Sequence, residues 1–292
     1  MMFKMLIKRI VGALVCILVI GSSAIAAEKQ LTIAVLPCSD IIRTFNKFNP
    51  LVTYIKQQTG IDMRLVISKN SSEFESAMKN GNIDFAFFDP YTYIRFASLF
   101  NKGSILSSLN TEGIPSQQGV VIVRKGSNIK KLGDLRGKTV MFGPKLSATK
   151  WLAARVLFEE NGINIDKDLR SYSNAGCCED IAFNVSLKEV DAGVVCDHFL
   201  WEHSEKQKEL GIDVKQVVVI SRTKAVPTRV FVSRKDLRND IVNKVNQALL
   251  KLDRKNPEHI KVLYPAELGG FQRTKDEEYD SLRKLKGTKY LE

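Results

Sequence analysis

From Leu31 onward the chain alternates short, densely apolar runs with longer stretches whose apolar residues recur every three or four positions. "LTIAVLP" predicts a strand ended by proline. "FNPLVTYIKQQTG" places Leu51, Val52 and Ile55 on one side and Gly60 as a stop, the pattern of an amphipathic helix. "DMRLVIS" predicts a second strand. "SSEFESAMKNG" opens with a Ser-x-x-Glu-like cap, carries Phe74, Ala77 and Met78, and stops at Gly81, predicting a second helix. "IDFAFFD" is apolar on both faces, which suits a parallel strand covered by helices. The β-α-β-α-β order implies an open α/β sheet whose ligands sit at the carboxyl ends of its strands.

A second round follows. "GVVIVRKG" predicts a strand, and "LGDLRGKTVMFG" a turn and another strand. "SATKWLAARVLFEENG" predicts a capped helix with Trp151, Leu152, Ala154, Arg155 and Phe158 on one face. "DIAFNVSLKE" predicts a short helix and "VDAGVVCD" a buried strand. The strands "KQVVVIS" and "TRVFVSRK" and the helical "NDIVNKVNQALLKL" come after. Two stretches echo each other. "NGNIDFAFFDP" and "SLKEVDAGVVCD" both set a helix end, then Asp, then a buried strand, and aligning Asp84 with Asp191 puts Cys196 opposite Asp89. Two similar α/β lobes facing across a cleft are expected from this echo.

Ahead of these elements stands a different segment. Lys4, Lys8 and Arg9 precede an uncharged apolar run, and Ala24-Ile25-Ala26 offers an A-x-A cleavage site, the layout of a secretory signal peptide over residues 1–26. The competing reading is an uncleaved anchor, but the strongly apolar part is shorter than the ~20 residues a span needs. Cys16 lacks the small preceding residues of a lipidated cysteine. The full chain has a formal net charge of +12 and stays basic without Lys4, Lys8 and Arg9. Its basic residues are interspersed with acids, as in "RKDLRNDIVNK", so no nucleic-acid partner is expected; the charge reads first as a generally basic solvated surface, and net charge alone does not show steering of an anionic ligand. Beyond the signal segment the cysteines are Cys38, Cys177, Cys178 and Cys196. A chain of this length buries a core without disulfide staples, so these thiols call for a positional reason.

Catalysis is not expected. G-x-S-x-G, H-E-x-x-H and C-x-x-C patterns are absent, and no cofactor or metal site is expected. His198 and His203 do not share a helix face, and Cys196-Asp197-His198 are sequence neighbours, which rarely form a nucleophile–base pair. The clearest binding device is Ser147-Ala148-Thr149 at a helix start, where unpaired N–H groups and the helix dipole attract oxyanions. An ordinary serine N-cap is the alternative reading of the same residues.

The segments "LTIAVLP", "NIDFAFFDPYTYIRFA", "LGDLRGKTVMFGPKLSATKWLAARVLFEENGI", "GCCEDIAFNVSLKEVDAGVV", "VFVSRKDL" and "GGFQRTKDEEYDSLRKL", in this order, resemble the periplasmic substrate-binding proteins of phosphate/phosphite/phosphonate ABC transporters, from about Leu31 to Leu285. The resemblance implies an α/β fold of the bilobed type II kind, two α/β lobes joined by two crossing strands near Gly119–Arg124 and Ile220–Val230. Lobe 1 would comprise residues 27–120 and 225–292, and lobe 2 residues 121–224. It also implies a periplasmic monomer that captures a small oxyanion by hinge closure and presents it to an ABC permease or, in the alternative, to a membrane sensor receptor.

Residue by residue, the resemblance places ligand contacts at Ser147, Ala148 and Thr149, where relatives carry Ser-Thr-Ser-Gly and this chain ends in Lys150, expected to extend into solvent. Tyr93 matches an aromatic ligand position, and Tyr91 is a second candidate. Asp89 stands where glycine is usual; it repels a dianion but can hold a protonated oxygen or an ammonium group, and a turn residue before Pro90 is the alternative reading. Cys38 ends the first strand, and Cys178 falls where relatives carry a ligand-contacting histidine. Cys196 ends the strand that parallels the one before Asp89. Buried small hydrophobes, a Cys178–Cys196 disulfide, and a thiolate pocket for a soft ion or metalloid all remain open for these thiols. Arsenite-sensing relatives motivate the last reading.

Overall fold

The computed structural model describes residues 30–36, 41–200 and 213–286; the expected signal segment and Cys38 lie outside the described residues. From Leu31 onward the chain forms one compact unit. Its strands up to the midpoint are β1 Leu31–Val35, β2 Met63–Ile67, β3 Phe85–Phe88, β4 Ile105–Leu109, β5 Ser116–Gln117, β6 Gly119–Arg124 and β7 Thr139–Phe142. Then come β8 Ser171–Asn174, β9 Ala192–Cys196, β10 Val217–Arg222, β11 Val226–Pro227, β12 Val230–Ser233 and β13 Gly270–Thr274.

These strands build two mixed sheets, ordered β13-β4-β12-β3-β1-β2 and β10-β6-β9-β7-β8. In the first, β1 lies parallel between β2 and β3 and β12 returns antiparallel beside β3. The second repeats the plan: β7 lies parallel between β8 and β9, and β6 runs antiparallel beside β9. Alternate residues of β3 serve opposite faces, Phe85 and Phe87 entering one core and Ala86 and Phe88 the other. That explains why "FAFF" is apolar throughout, since both faces are covered. Val121 and Val123 of β6 likewise enter one core, and Val120 and Ile122 another. Phe85 stacks on Phe231 of β12 at 5.5 Å between centroids. Each such buried ring contributes roughly 1.5–3 kcal/mol.

The repeated plan extends to hydrogen bonds. Asp84 Oδ2 accepts from Thr32 N at 2.9 Å and from Thr32 Oγ1 at 3.0 Å, while Asp84 N donates to Thr32 Oγ1 at 2.9 Å. Asp191 and Thr139 make the same three bonds at 2.8, 2.9 and 2.9 Å. Each pair spans 52 residues. The echo read from the sequence is thus a structural repeat that ties β1 to the entry of β3 in one sheet and β7 to the entry of β9 in the other.

The chain passes between the sheets twice, through β5 and β11, which pair antiparallel as a short ribbon. Gly119–Arg124, expected at a crossing, is itself a strand of the second sheet, just beyond the ribbon. A Cβ on Gly119 would stand 2.7 Å from Thr149 O, so this strand start admits only glycine without displacement.

Two helices differ from expectation. The first spans Ile41–Thr59 and contains Pro50, which the sequence pattern places near a helix start. Its buried face, including Phe48, Leu51, Val52 and Ile55, outweighs the backbone bond that proline removes. The helix after Ser147 opens as a π-helix over Ala148–Ala153 before continuing as Ala154–Glu160. Leu152 N donates to Ser147 O at 3.0 Å, the five-residue spacing of a widened turn.

Candidate functional site

A cavity of about 390 Å³ lies between the two sheets, lined where strands of both sheets end. Val35 ends β1 and Leu36 follows it, Phe88 ends β3 and Asp89 follows it, Pro144 lies just after β7 and Cys196 ends β9. Carboxyl ends of parallel strands converge there, as expected of open α/β sheets. Of the residues singled out from sequence, Asp89, Ser147, Thr149, Cys178 and Cys196 line the cavity.

Asp89 is the junction. It caps the helix Pro90–Phe96, its Oδ1 accepting from Tyr91 N at 2.8 Å. The same oxygen accepts from Ala148 N at 2.9 Å, reaching the first turn of the helix that follows Ser147. Burial pushes its pKa up to about 6, against the pull of the two N–H donors and of Arg229 and Lys150. Ala148 therefore contributes its amide to Asp89 and does not line the cavity.

Ser147 Oγ accepts from Lys150 N at 3.2 Å, an ordinary N-cap, and lies 3.4 Å from Thr149 Oγ1. The N-cap is present, and both Ser147 and Thr149 line the cavity. Lys150 corrects the expectation of a solvent-extended side chain, for it is only 6% exposed. Its stem lies over Gly143, where an added Cβ would stand 2.4 Å from Lys150 Cβ, and its Nζ donates to Gly176 O at 3.3 Å. A glycine seven residues earlier thus makes room for a buried ammonium on the cavity wall.

Cys178 opens the helix Cys178–Ser186, and Cys196 N donates to its Sγ at 3.3 Å. The Cys178 thiol in turn supports charge on Cys196, holding the Cys196 pKa below the ordinary thiol value, helped by Lys150 and Thr149 against burial. Thr149 Oγ1 lies 3.6 Å from Cys196 Sγ. The same contact, with burial, holds Cys178 well above the ordinary value, and burial also raises Cys177. Cys177, Cys178 and Cys196 are free thiols. Among the described residues no group of three or more His, Cys, Asp or Glu side chains is arranged to hold a metal.

The tyrosines depart from their expected places. Tyr93 is fully buried in the core and does not line the cavity; its hydroxyl donates to Asp276 Oδ1 at 2.6 Å. Lys102 and Arg283 complete that cluster, and their bonds with Tyr93 outweigh burial and hold Asp276 at a pKa of about 2. Tyr91 is buried too and offers only its backbone N–H to Asp89.

Sequence reasoning missed three charged wall residues. Arg229, just before β12, spreads its guanidinium over Phe48 and Phe87, 5.6 and 5.9 Å from the ring centroids. Lys47 and Glu267 pair at 2.6 Å, and the Lys47 ammonium outweighs burial to hold Glu267 at a pKa of about 2. Glu267 adopts a left-handed backbone, φ 55°, which non-glycine residues rarely take. No short motif marks these positions. The aromatic residues that stack beneath Arg229 come from distant segments.

The comparisons with known proteins agree with this layout. A family description, "ABC transporter, phosphonate, periplasmic substrate-binding protein", matches residues 33–279. The phosphate-import protein PhnD of Mycolicibacterium smegmatis is 23% identical over 211 residues, and the chain spans 65% of that relative's length. The binding-protein component of an ABC phosphonate transporter from Pseudomonas aeruginosa superposes with a TM-score of 0.75 at 20% identity, covering 88% of this chain and 85% of that one. PhnD1 of Prochlorococcus marinus, solved in complex with methylphosphonate, also gives 0.75, at 18% identity over 89% of this chain and 97% of that one. With two matching α/β lobes, a cavity between their strand ends and a family match over most of its length, the chain belongs to the phosphonate ABC-transporter family of periplasmic substrate-binding proteins and has the bilobed type II fold.

Proposed function

We propose that the protein is an exported solute receptor that captures a small phosphorus oxyanion, of the phosphonate, phosphite or phosphate class, and delivers it to an ABC permease. The observation that carries this reading is the wall formed by Ser147 and Thr149 hydroxyls with the Lys150 ammonium, set at one helix start and faced by Arg229 from the other sheet. Hydroxyl and ammonium donors converging on one space suit a tetrahedral anion. The names of the relatives point to the same ligand class. A cavity of about 390 Å³ is roomy for a bare tetrahedral anion, which favours an organophosphonate over inorganic phosphate.

Capture follows from the connections. Lobe 1, through residue 118 and again from 225, and lobe 2, residues 119–224, meet through the β5–β11 ribbon, and bending there opens and closes the cleft; the boundary expected at 120/121 moves so that β6 stays whole in the second sheet. Closure brings Arg229 and Asp89 of one lobe against Ser147, Thr149 and Lys150 of the other. The basic, signal-like residues 1–26 support export to the periplasm.

The test is calorimetry of the protein beyond residue 26 with phosphate, phosphite, methylphosphonate and 2-aminoethylphosphonate. Saturable one-to-one binding of at least one of them is expected, lost in the double variant Ser147→Ala/Thr149→Ala. If none binds across the tested conditions, the phosphorus-oxyanion reading is wrong.

A further inference from the structure

Capture of an oxyanion leaves the thiols on the cavity wall without a task. Two of them meet although 18 residues separate them: Cys196 N donates to Cys178 Sγ at 3.3 Å, and the two thiols share a hydrogen bond. Cys178 begins the helix Cys178–Ser186 and Cys196 ends β9, so the meeting depends on how closely helix and strand pack. Gly193 sets that approach, since a Cβ there would stand 2.4 Å from Ile181 Cγ2. Cys177 takes no part. It stands one residue before the helix, and its thiol interacts with Glu179 and Asp180, not with either of the other sulfurs.

Cys196 is also tied to the donors that face a ligand. Its Sγ lies 3.6 Å from Thr149 Oγ1, which lies 3.4 Å from Ser147 Oγ. An ionised sulfur has no proton, so in that state Thr149 donates to it. The Cys178 thiol, Lys150 and Thr149 favour this ionised form against burial. An entering oxyanion would therefore meet a second negative charge and a hydroxyl already engaged. A disulfide sulfur is neutral and only a weak acceptor. Joining the two sulfurs removes the charge and turns the Thr149 proton back to the cavity.

We infer that Cys178 and Cys196 are a redox site: oxidation of the exported protein joins their sulfurs, and the disulfide form is the one prepared for an oxyanion. The inference rests on the phosphorus-oxyanion reading and adds a condition to it. The structure holds both residues as thiols, the form before oxidation. An exported chain meets oxidising conditions in which such bonds form and persist. The oxidant is an organic disulfide, R–S–S–R. The Cys196 thiolate attacks it, forming a mixed disulfide and displacing one R–S⁻; Cys178 then gives up its proton and attacks Cys196 Sγ, displacing the second. In the net reaction one S–S bond breaks and one forms. Two protein thiols lose two electrons, and the oxidant leaves as two thiols carrying both protons. Both cysteines line the cavity, so a small disulfide reaches them through the cleft.

The experiment compares two forms of the protein beyond residue 26, one treated with oxidised glutathione and one with dithiothreitol. Peptide mapping without reduction is expected to recover Cys178 joined to Cys196 in the first form. Methylphosphonate affinity, read by calorimetry at about pH 8, is expected to be about tenfold higher in the oxidised form, the size of one charged hydrogen bond gained. In Cys196→Ser the affinity no longer responds to reductant, whereas Cys177→Ser keeps the response. A bond through Cys177 or Cys38, or a glutathione adduct alone, overturns the inference. Equal affinity in the two forms, or tighter binding by the dithiol, overturns it too and leaves the phosphorus-oxyanion reading intact. If neither form binds a phosphorus ligand, that reading falls and the link to the ligand with it, while the peptide map still decides the pair. The wild-type comparison needs no substitution, so poor folding of a variant does not weaken it.

Discussion

Asp89 Oδ1 accepts the Ala148 amide N–H at 2.9 Å, a hydrogen bond that joins the end of β3 in one sheet to the helix start beside the other. It brings together residues 59 apart in sequence and sets the electrostatics of the cavity. Several measurable consequences come from it and from its neighbours.

The first concerns Asp89 and stability. A carboxyl whose pKa rises from 3.8 to about 6 on folding binds more protons in the folded state between those values. Stability therefore falls as pH rises through that window and stays lower above it. In the unliganded protein Asp89→Asn removes this penalty, at most about 3 kcal/mol. The variant should melt higher than wild type at about pH 7.5 and no higher at about pH 4. A uniformly lower melting temperature would show that the carboxylate's bonds outweigh its desolvation.

Lys150 should matter for ligand and little for folding. Lys150→Met keeps an apolar stem over Gly143 and removes the ammonium. Loss of a charged hydrogen bond costs about 1.5–3 kcal/mol, so affinity for a phosphorus oxyanion should drop at least about tenfold. Calorimetry checks it; unchanged affinity would mean that the buried ammonium serves only the Gly176 carbonyl.

Tyr93 tests the opposite separation. Tyr93→Phe removes the hydroxyl that donates to Asp276 and leaves the ring in its edge-to-face contact with Tyr279, 5.0 Å between centroids. The expected loss of stability is about 1–2 kcal/mol, with ligand affinity unaltered. Denaturant unfolding together with a binding isotherm reads both; a large loss of affinity at constant stability would return Tyr93 to the site.

The thiols differ in readiness to react. Cys196 has its ionised form favoured and lines the cavity, whereas burial holds Cys177 as a thiol. Limited alkylation with iodoacetamide followed by peptide mapping should label Cys196 before Cys177, and bound ligand should slow it. Faster labelling of Cys177 would contradict the assigned order.

The order of strands and helices was legible because it depends on local signals: runs apolar on both faces, glycine stops and serine starts. The aligned Asp84 and Asp191 were legible as well, since a repeated plan leaves a repeated spelling. The charged wall was not. Lys150 is buried because Gly143 and Gly176 make room and an acceptor for it, and a lysine at a helix start otherwise reads as solvated. Tyr93 sits on a short helix whose phenol meets Asp276, 183 residues away, so its direction could not be read from nearby residues. The widened turn at Ala148–Ala153 likewise has no signature in a segment that spells an ordinary helix.

The matched Thr32–Asp84 and Thr139–Asp191 clamps give each half of the molecule its own fastener. Neither clamp spans the two halves, so swinging one against the other leaves both closed. Five residues beyond each clamped aspartate the halves part company, with a carboxylate at one tip and a thiol at the other. The duplicated frame is thereby insulated from the tips, and the tips are free to change without loosening what holds them. A new ligand preference can arise at Asp89 or Cys196 while the clamped strands that carry these tips stay as they are.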